Sequence, residues 1–488
     1  LKHATLGLHI LQLTSGRLIV QLIGIVTIPI LTRLYLPDHF GVTQILDSLL
    51  TILAVTVCWK FEMAIPLAQN DQETVEITAI SAAATLITTL LVALLIGLYR
   101  DRIASWYRMP ELRSLLWFLP VFTLLAGLKH LLTFFASKEE HFRSVATSEV
   151  VYSLTDRAAA LTWGIWHEPS SLGMLLARLL AHASRILTLI RSDGSRLMYL
   201  FRQASFSASS FCATLRRYQK FPLFQIWTVF LNTISAQLPP LLLGRFFETE
   251  IVGYYALSAR IVALPMTLLR DAITTVSFPM MAKTYQETGS LTDMTRQMFL
   301  RLLQIASFPT AVFGVFGVSI FYAFFGEQWI DAGEYARLLA IWQGLAFINL
   351  PMKVFVILDR QEMGFLMNIL MLLMRIGGIS FGIFFNSSRL ALQGFVILSV
   401  TGLLLNIFWQ LRLAKVSLSW ATFELIRYAA LSSALLIFLK WLLGDAGHII
   451  VLLAGIGIAA AGYVWGVMAI DRSFCQYVHA RFARFGKR

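Results

Sequence analysis

Charge is what this chain has least of. Only 14% of its 488 residues are Asp, Glu, Lys or Arg, whereas 57% are hydrophobic and mean hydropathy is +0.71. A soluble domain is about a quarter charged and about half apolar. The deficit runs from end to end, so no stretch is polar enough to form a separate soluble domain. Cysteine is scarce as well. Cys58, Cys212 and Cys475 are far apart and odd in number, which excludes a disulfide framework and a cysteine metal site. No G-x-x-x-x-G-K-[ST] loop occurs, so ATP hydrolysis by that route is excluded. His167-Glu168-Pro169 lacks the second histidine of a zinc protease, and its proline would break the helix such a site needs. No Cys/His cluster points to haem or an iron–sulfur centre. Neither enzyme activity, nor a metal, nor a cofactor is expected.

Long apolar runs fill the space that charge leaves. A spanning helix needs about 20 mostly apolar residues, because the hydrocarbon core is about 30 Å thick. That ruler gives about fourteen spans. Their limits are near 12–32, 42–60, 77–98, 114–136, 145–166, 171–190, 223–244, 252–279, 301–325, 336–358, 363–385, 390–411, 422–443 and 448–470. The fold class is all-α and polytopic. Spans five and six are the most interrupted, by Asp156, Arg157, Arg178, His182 and Arg185. The first apolar run continues through Leu31 without a small-residue cleavage site, so no cleavable leader is expected.

A net charge of +13 could suggest nucleic acid, but its placement argues for a membrane. Arg191, Arg196, Arg202, Arg216, Arg217 and Lys220 lie between spans six and seven, and Arg472, Arg481, Arg484, Lys487 and Arg488 follow the last span. Both groups fall on the side of the N-terminus, the positive-inside pattern. Both termini are expected in the cytoplasm, with no nucleic-acid partner.

An internal repeat organises the chain. Arg33-Leu-Tyr35-Leu-Pro37-Asp38-His-Phe40-Gly41 is matched 212 positions later by Arg245-Phe-Phe247-Glu248-Thr-Glu250-Ile-Val252-Gly253. Each copy has Arg, an aromatic two later, an acid at five and Gly at eight, and each is expected to run into a long helix carrying Pro near its end, Pro66 and Pro279. The pattern predicts a tight hairpin. Arg sits at the carbonyl end of one helix dipole and the acid at the amide end of the next, while Gly permits close helix contact. Six spans separate the copies, so they share one orientation and are parallel repeats. The expected division is an N-lobe at 1–190, a basic linker at 191–221, a C-lobe at 222–413, two further helices at 414–470 and a basic tail at 471–488.

Ionisable residues inside spans are costly and mark functional sites by default. Arg33, Lys60, Arg245, Arg270, Lys353 and Lys440 lie near span ends, where long side chains snorkel. Deeper ones are Arg17, Asp47, Asp156, Arg157, Arg178, Arg260 and Arg375. Asp47 and Arg260 fall at similar depths in the two copies and are expected to face a central cavity. Arg178, His182 and Arg185 follow spacings of four and three, one helix face, although snorkelling is an equally good reading of Arg185. Asp156 and Arg157, as neighbours, point about 100° apart and are not expected to pair on one face. A cationic face in a bundle suits an anionic ligand such as a diphosphate.

The chain resembles the polysaccharide-export flippases of O-antigen and capsule type, in the superfamily that also holds lipid II flippases and multidrug exporters. The resemblance is carried by Arg217-Tyr218-Gln219-Lys220-Phe221-Pro222, Asn232-Thr-Ile-Ser235-Ala-Gln237-Leu238-Pro239, Val252-Gly253-Tyr254-Tyr255-Ala256-Leu257-Ser258-Ala259-Arg260 and Phe325-Gly326-Glu327-Gln328-Trp329, together with Arg33 to Gly41. It implies two six-helix lobes forming a V around a cationic cavity, and two last helices that help hold a lipid tail. The substrate class it implies is an undecaprenyl-diphosphate-linked oligosaccharide, moved to the outer leaflet of a bacterial cytoplasmic membrane by alternating access. Head-group binding is expected at Arg17, Arg178, Arg260 and Arg375, and ion coupling at Asp47 and Asp156. A polysaccharide polymerase and a chain-length regulator are the partners it implies. Two other readings stand beside it: a cation-coupled multidrug exporter, which would favour acids in the cavity, and a membrane glycosyltransferase or polymerase, which would need a large outer loop.

Overall fold

The computed structural model of the chain describes residues 2–205, 207–349, 352, 354–443 and 449–470. Lys353 and the basic tail 471–488 lie outside them. Among the described residues the structure is helical throughout, with no strand. The chain divides into two compact units, Leu1–Ala256 and Leu257–Arg488. The first holds α1 (Lys2–Leu34), α2 (Pro37–Thr56), a 3-10 segment (Phe61–Leu67), α3 (Asp71–Tyr107), α4 (Leu112–Leu115), α5 (Phe118–Lys138), α6 (Phe142–Trp166), α7 (Ser171–Gln203), α8 (Ala208–Tyr218) and α9 (Ile226–Phe246). The chain passes into the second unit along α10 (Thr249–Thr288), followed by α11 (Thr292–Phe325), α12 (Ile330–Asn349), α13 (Val354–Ile357), α14 (Gln361–Phe384), α15 (Ser388–Leu413), α16 (Leu418–Leu443) and α17 (Ile449–Ile470).

Eleven of the expected spans fall on stretches long and apolar enough to cross a membrane. The other three fall on α6, α9 and α10, helices of 25, 21 and 40 residues. In α6 the apolar run is diluted by Arg143, Glu149, Asp156 and Arg157. Local chemistry sets several helix starts. Asn70 accepts from the Glu73 amide at 2.8 Å, and Ser170 and Ser387 accept from Gly173 and Leu390 at 3.3 Å each, satisfying amides that have no partner inside the helix.

The repeat has the expected local form. Helix ends fall at Leu34 and Phe246, and the next helices begin at Pro37 and Thr249, the same offset as the sequence match. Arg33 and Arg245 occupy last turns, and Asp38 and Glu250 first turns. The hairpins also pack on each other. A Cβ on Gly41 would stand 2.0 Å from the Thr249 carbonyl oxygen, and one on Gly253 would stand 2.0 Å from the Pro37 carbonyl oxygen. Pro37 and Thr249 are themselves equivalent positions, so the two contacts are one contact made twice. Only glycine admits backbones this close. Asp38 and Glu250, again equivalent, lie near enough for their charges to interact.

One expectation fails. The helix after the first hairpin does not run on to carry Pro66 near its end. Helix α2 stops at Thr56, Trp59 and Lys60 take left-handed φ of 52° and 64°, and Pro66 falls in the 3-10 segment. Burial of Val57, Cys58, Phe61 and Ile65 in one apolar cluster holds this break. In the second copy α10 runs through Pro279 to Thr288.

The stretch 191–221 is largely helical. Helix α7 runs on to Gln203 and α8 follows. Two acids in the first turns of α3 hold α8. Glu76 accepts from Gln72, Ser210 and Thr214, and Glu73 accepts from Arg217 Nη1 at 3.0 Å and the Tyr218 hydroxyl at 3.2 Å. In the second unit, α16 and α17 are tied to α11 by buried polar contacts. Gln304 Nε2 donates to the Tyr428 hydroxyl and the Tyr463 hydroxyl donates to the Gln304 carbonyl, both at 2.8 Å.

Candidate functional site

A cluster of charged side chains lies on one face of the α6–α7 pair. Arg178, His182 and Arg185 project together from α7, as their spacing requires. Facing them on α6 are Glu149, Tyr152 and Asp156, at spacings of three and four, and the two rows interlock. Arg185 pairs through Nη2 with Glu149 and lies 4.2 Å from the centre of the Tyr152 ring. Tyr152 meets His182 edge-on at 5.0 Å, and His182 meets Phe122 of α5 at 5.7 Å. Arg178 reaches across to α2 and pairs with Asp47, with Asp156 close enough to add to its field. Lys129 and His130 of α5 stand within electrostatic range of Arg185.

Two expectations about this face are corrected. Arg185 does not snorkel: its side chain is 8% exposed and held by Glu149 and Tyr152. A carboxylate and an aromatic face inside the bundle replace the water it would otherwise seek. Asp156 and Arg157 do meet, at 3.7 Å, because the long arginine stem folds back over the angle between neighbouring Cβ atoms. Glu149, Tyr152, Lys129 and His130 were not among the candidate residues. The three-and-four spacing of Glu149, Tyr152 and Asp156 is the signal that identifies them.

The other candidates lie elsewhere. Arg17 is exposed on α1, one residue after Gly16, which abuts Ala146 of α6. Arg260 is exposed on α10 in the second unit. Arg375 of α14 lies 5.8 Å from the Trp342 ring centre. Arg33 ends α1, and Arg245 is sandwiched by Trp106 and Phe246 at 5.4 and 5.1 Å. Of the predicted set, Asp47 and Arg178 are brought into direct contact.

Near the start of α6 lies a second polar place. His141 pairs with the fully buried Asp193, which also accepts from Ser144 at 3.1 Å. A cavity of about 530 Å³ beside it is lined by Glu140, Arg143, Thr147, Thr188 and Ser192 as well. At the α2 break, burial raises the Glu62 carboxyl above its usual range.

Chemically, the α6–α7 face can hold an anion. Guanidinium groups with resident carboxylate partners are a preformed set of planar donors in a low-dielectric setting. Nothing on it resembles a nucleophile with an adjacent base.

The model of the family described as "Polysaccharide biosynthesis protein" matches residues 30–334. The teichuronic acid biosynthesis protein TuaB of Bacillus subtilis is 25% identical over 259 residues, 52% of this chain and 51% of the relative. The succinoglycan biosynthesis transport protein ExoT of Rhizobium meliloti is 25% identical over 333 residues, 66% of this chain and 62% of the relative. The chain thus spans between half and two thirds of the curated relatives it matches. Among solved structures, the lipid II flippase MurJ in an inward closed conformation superposes with a TM-score of 0.76 at 11% identity, covering 95% of this chain and 99% of that one. An inward-facing multidrug resistance MATE transporter of the MOP superfamily gives 0.63 at 15% identity, over 81% and 95%. At these identities the likeness concerns the fold alone. The family match covers more than half of the sequence: this chain belongs to the polysaccharide biosynthesis protein family.

Proposed function

We propose that this protein is a flippase that carries a polyprenyl-diphosphate-linked oligosaccharide from the inner to the outer leaflet by alternating access. The observation that carries the reading is the buried Arg178–Arg185 face on α6 and α7. Buried arginines at this depth are costly unless they do something, and a diphosphate is the anion their planar donors suit. The family match supports a saccharide cargo. A MurJ-like fold supplies a scaffold on which a lipid-linked precursor is handled in the protein of that name. Arg17, Arg260 and Arg375 are proposed to add head-group contacts, with the polyprenyl tail left in lipid. The basic loops favour a topology with both termini in the cytoplasm.

The test is leaflet transfer in proteoliposomes carrying a fluorescent diphosphate-linked oligosaccharide lipid, read by access of an impermeant glycosidase. Transfer well above empty liposomes in the wild type, lost in Arg178→Ala and reduced in Arg260→Ala, is the expected result. Transfer no faster than in empty liposomes, across several head groups and imposed gradients, sinks the reading. The multidrug reading would take over if a cationic dye were then exported and Asp47→Asn abolished that export.

A further inference from the structure

The cavity of about 530 Å³ at the α5–α6 turn has a volume in the range of small-molecule sites, about 300–1,000 Å³. It adjoins the arginine face without sharing a residue with it. Thr188 and Ser192, which line the cavity, lie three and seven residues beyond Arg185 on α7, so one face of that helix leads from guanidinium to cavity. At 1.5 Å per residue the step is about 5–10 Å. Glu140, at a φ of 61°, and His141 come from the turn, and Arg143 and Thr147 from the start of α6. The Glu140 carboxylate, the Arg143 guanidinium and the Thr147 and Ser192 hydroxyls make no hydrogen bond or ion pair with any described residue. His141 is held from behind. The buried Asp193 accepts from its Nδ1 and from the Ser144 hydroxyl at 3.1 Å. A carboxylate only accepts, so Nδ1 carries a proton and Nε2 is the atom left for a ligand.

We propose that this cavity is a saccharide subsite, which binds the sugar of a lipid-linked oligosaccharide while the arginine face next to it binds the diphosphate. This rests on the flippase reading. The chemistry of the lining selects the ligand class. Its charges are mixed, a guanidinium with a carboxylate, which disfavours a multiply charged anion. Beside the cavity Arg196 is already engaged by Asp71 and Glu139, and Arg191 points about 100° away from its neighbour Ser192. No aromatic ring is among the described lining residues, so a nucleobase has nothing to stack on. What remains is a set of hydroxyls that both donate and accept, an imidazole nitrogen, a donor fork and an acceptor carboxylate. Those groups together match a ring of neighbouring hydroxyls. The place fits as well. The topology that the basic loops favour puts the α5–α6 turn on the cytoplasmic side, where a substrate that has yet to cross presents its sugar.

The experiment is calorimetric titration of the intact protein in nanodiscs with the sugar-free diester farnesyl methyl diphosphate and with farnesyl-diphosphoryl-glucose, -galactose and -N-acetylglucosamine. Wild type is expected to bind at least one sugar-bearing probe roughly tenfold or more tightly than the methyl diester, the worth of one or two net hydrogen bonds. Arg143→Ala and Thr147→Val should each weaken that probe roughly threefold to tenfold and leave the methyl diester unchanged. Arg178→Ala should weaken both probes together. The methyl diester is thus the check on folding, and Ser192→Ala, at an exposed position, stands in for a variant that fails it. Cavity variants that weaken both probes equally act on the structure, and overturn the inference. Equal binding of all four probes by wild type overturns it too and leaves the flippase reading standing. No binding of any probe by wild type overturns both.

Discussion

Tyr35 shows what one side chain does for the first unit. It sits in the turn of the first hairpin with no exposed surface, and its hydroxyl donates to the Ala160 carbonyl of α6 at 2.8 Å. Replacing it by Phe removes one buried hydrogen bond, so Tyr35→Phe should lose about 1 kcal/mol in thermal unfolding in detergent. Burial also pushes the phenol from 10.0 up to about 12. The folded state therefore holds the proton more tightly than the unfolded state does. That stability is complete below the unfolded value near pH 10 and is lost as pH rises toward 12. Unfolding midpoints scanned from pH 8 to 11.5 should fall less steeply in Tyr35→Phe. Cysteines make a second case. Cys58 is fully buried against Thr85 and Gly127, whereas Cys212 is exposed. In a Cys475→Ser background, the folded protein should react with a maleimide at Cys212 and leave Cys58 unmodified until it unfolds. At this scale the sequence was half legible. Arg178 declared itself as an arginine in an apolar run, and its spacing to Arg185 gave the shared face. Glu149 and Lys129 were passed over because a lone carboxylate or ammonium looks the same in sequence whether it faces water or an arginine on another helix.

Helix α8 is the element whose role the sequence hid. A basic stretch between apolar runs reads as a solvated linker, and nothing local to 208–218 says that its hydroxyls meet an acid on α3. The contact joins residues more than 130 positions apart: Ser210 and Thr214 on Glu76, Arg217 and Tyr218 on Glu73. The motif Arg217-Tyr218 thereby gains a physical reason. Glu76→Ala removes three acceptor contacts at once, each worth about 1 kcal/mol. The tryptic cleavage rate after Arg216 and Arg217 should then rise by roughly tenfold or more, because local opening costs less. No change in that rate would show that α8 is held by its apolar face alone. The α2 break is a contrasting failure. A long helix carrying Pro66 near its end was expected, but Trp59 and Lys60 turn the chain earlier, in a left-handed conformation that sequence favours only for Gly or Asn.

At the scale of the molecule, hydropathy and repeat spacing carried most of the fold. A run of about 20 apolar residues has few alternatives to a spanning helix, and a match at constant offset fixes which helices correspond. What the pattern could not give is where the copies touch, because contact depends on backbone approach rather than on side-chain chemistry. The reciprocal contacts of Gly41 and Gly253 supply it. Gly41→Val and Gly253→Val should each destabilise the protein by a similar amount, about 2–4 kcal/mol. The double variant should fall short of their sum, since the first substitution already parts the seam. A thermal double-mutant cycle in detergent measures this, and full additivity would mean that the two contacts open independently. The seam has a consequence for ancestry. A patch that meets its own equivalent, residue i on j and j on i, is the geometry of an isologous two-fold dimer. Here that geometry lies within one continuous chain, as if two identical partners had been written into a single message. Once joined they no longer had to recognise each other, and the demand that remains at the seam is for a glycine in each copy that backs onto the other copy's main chain.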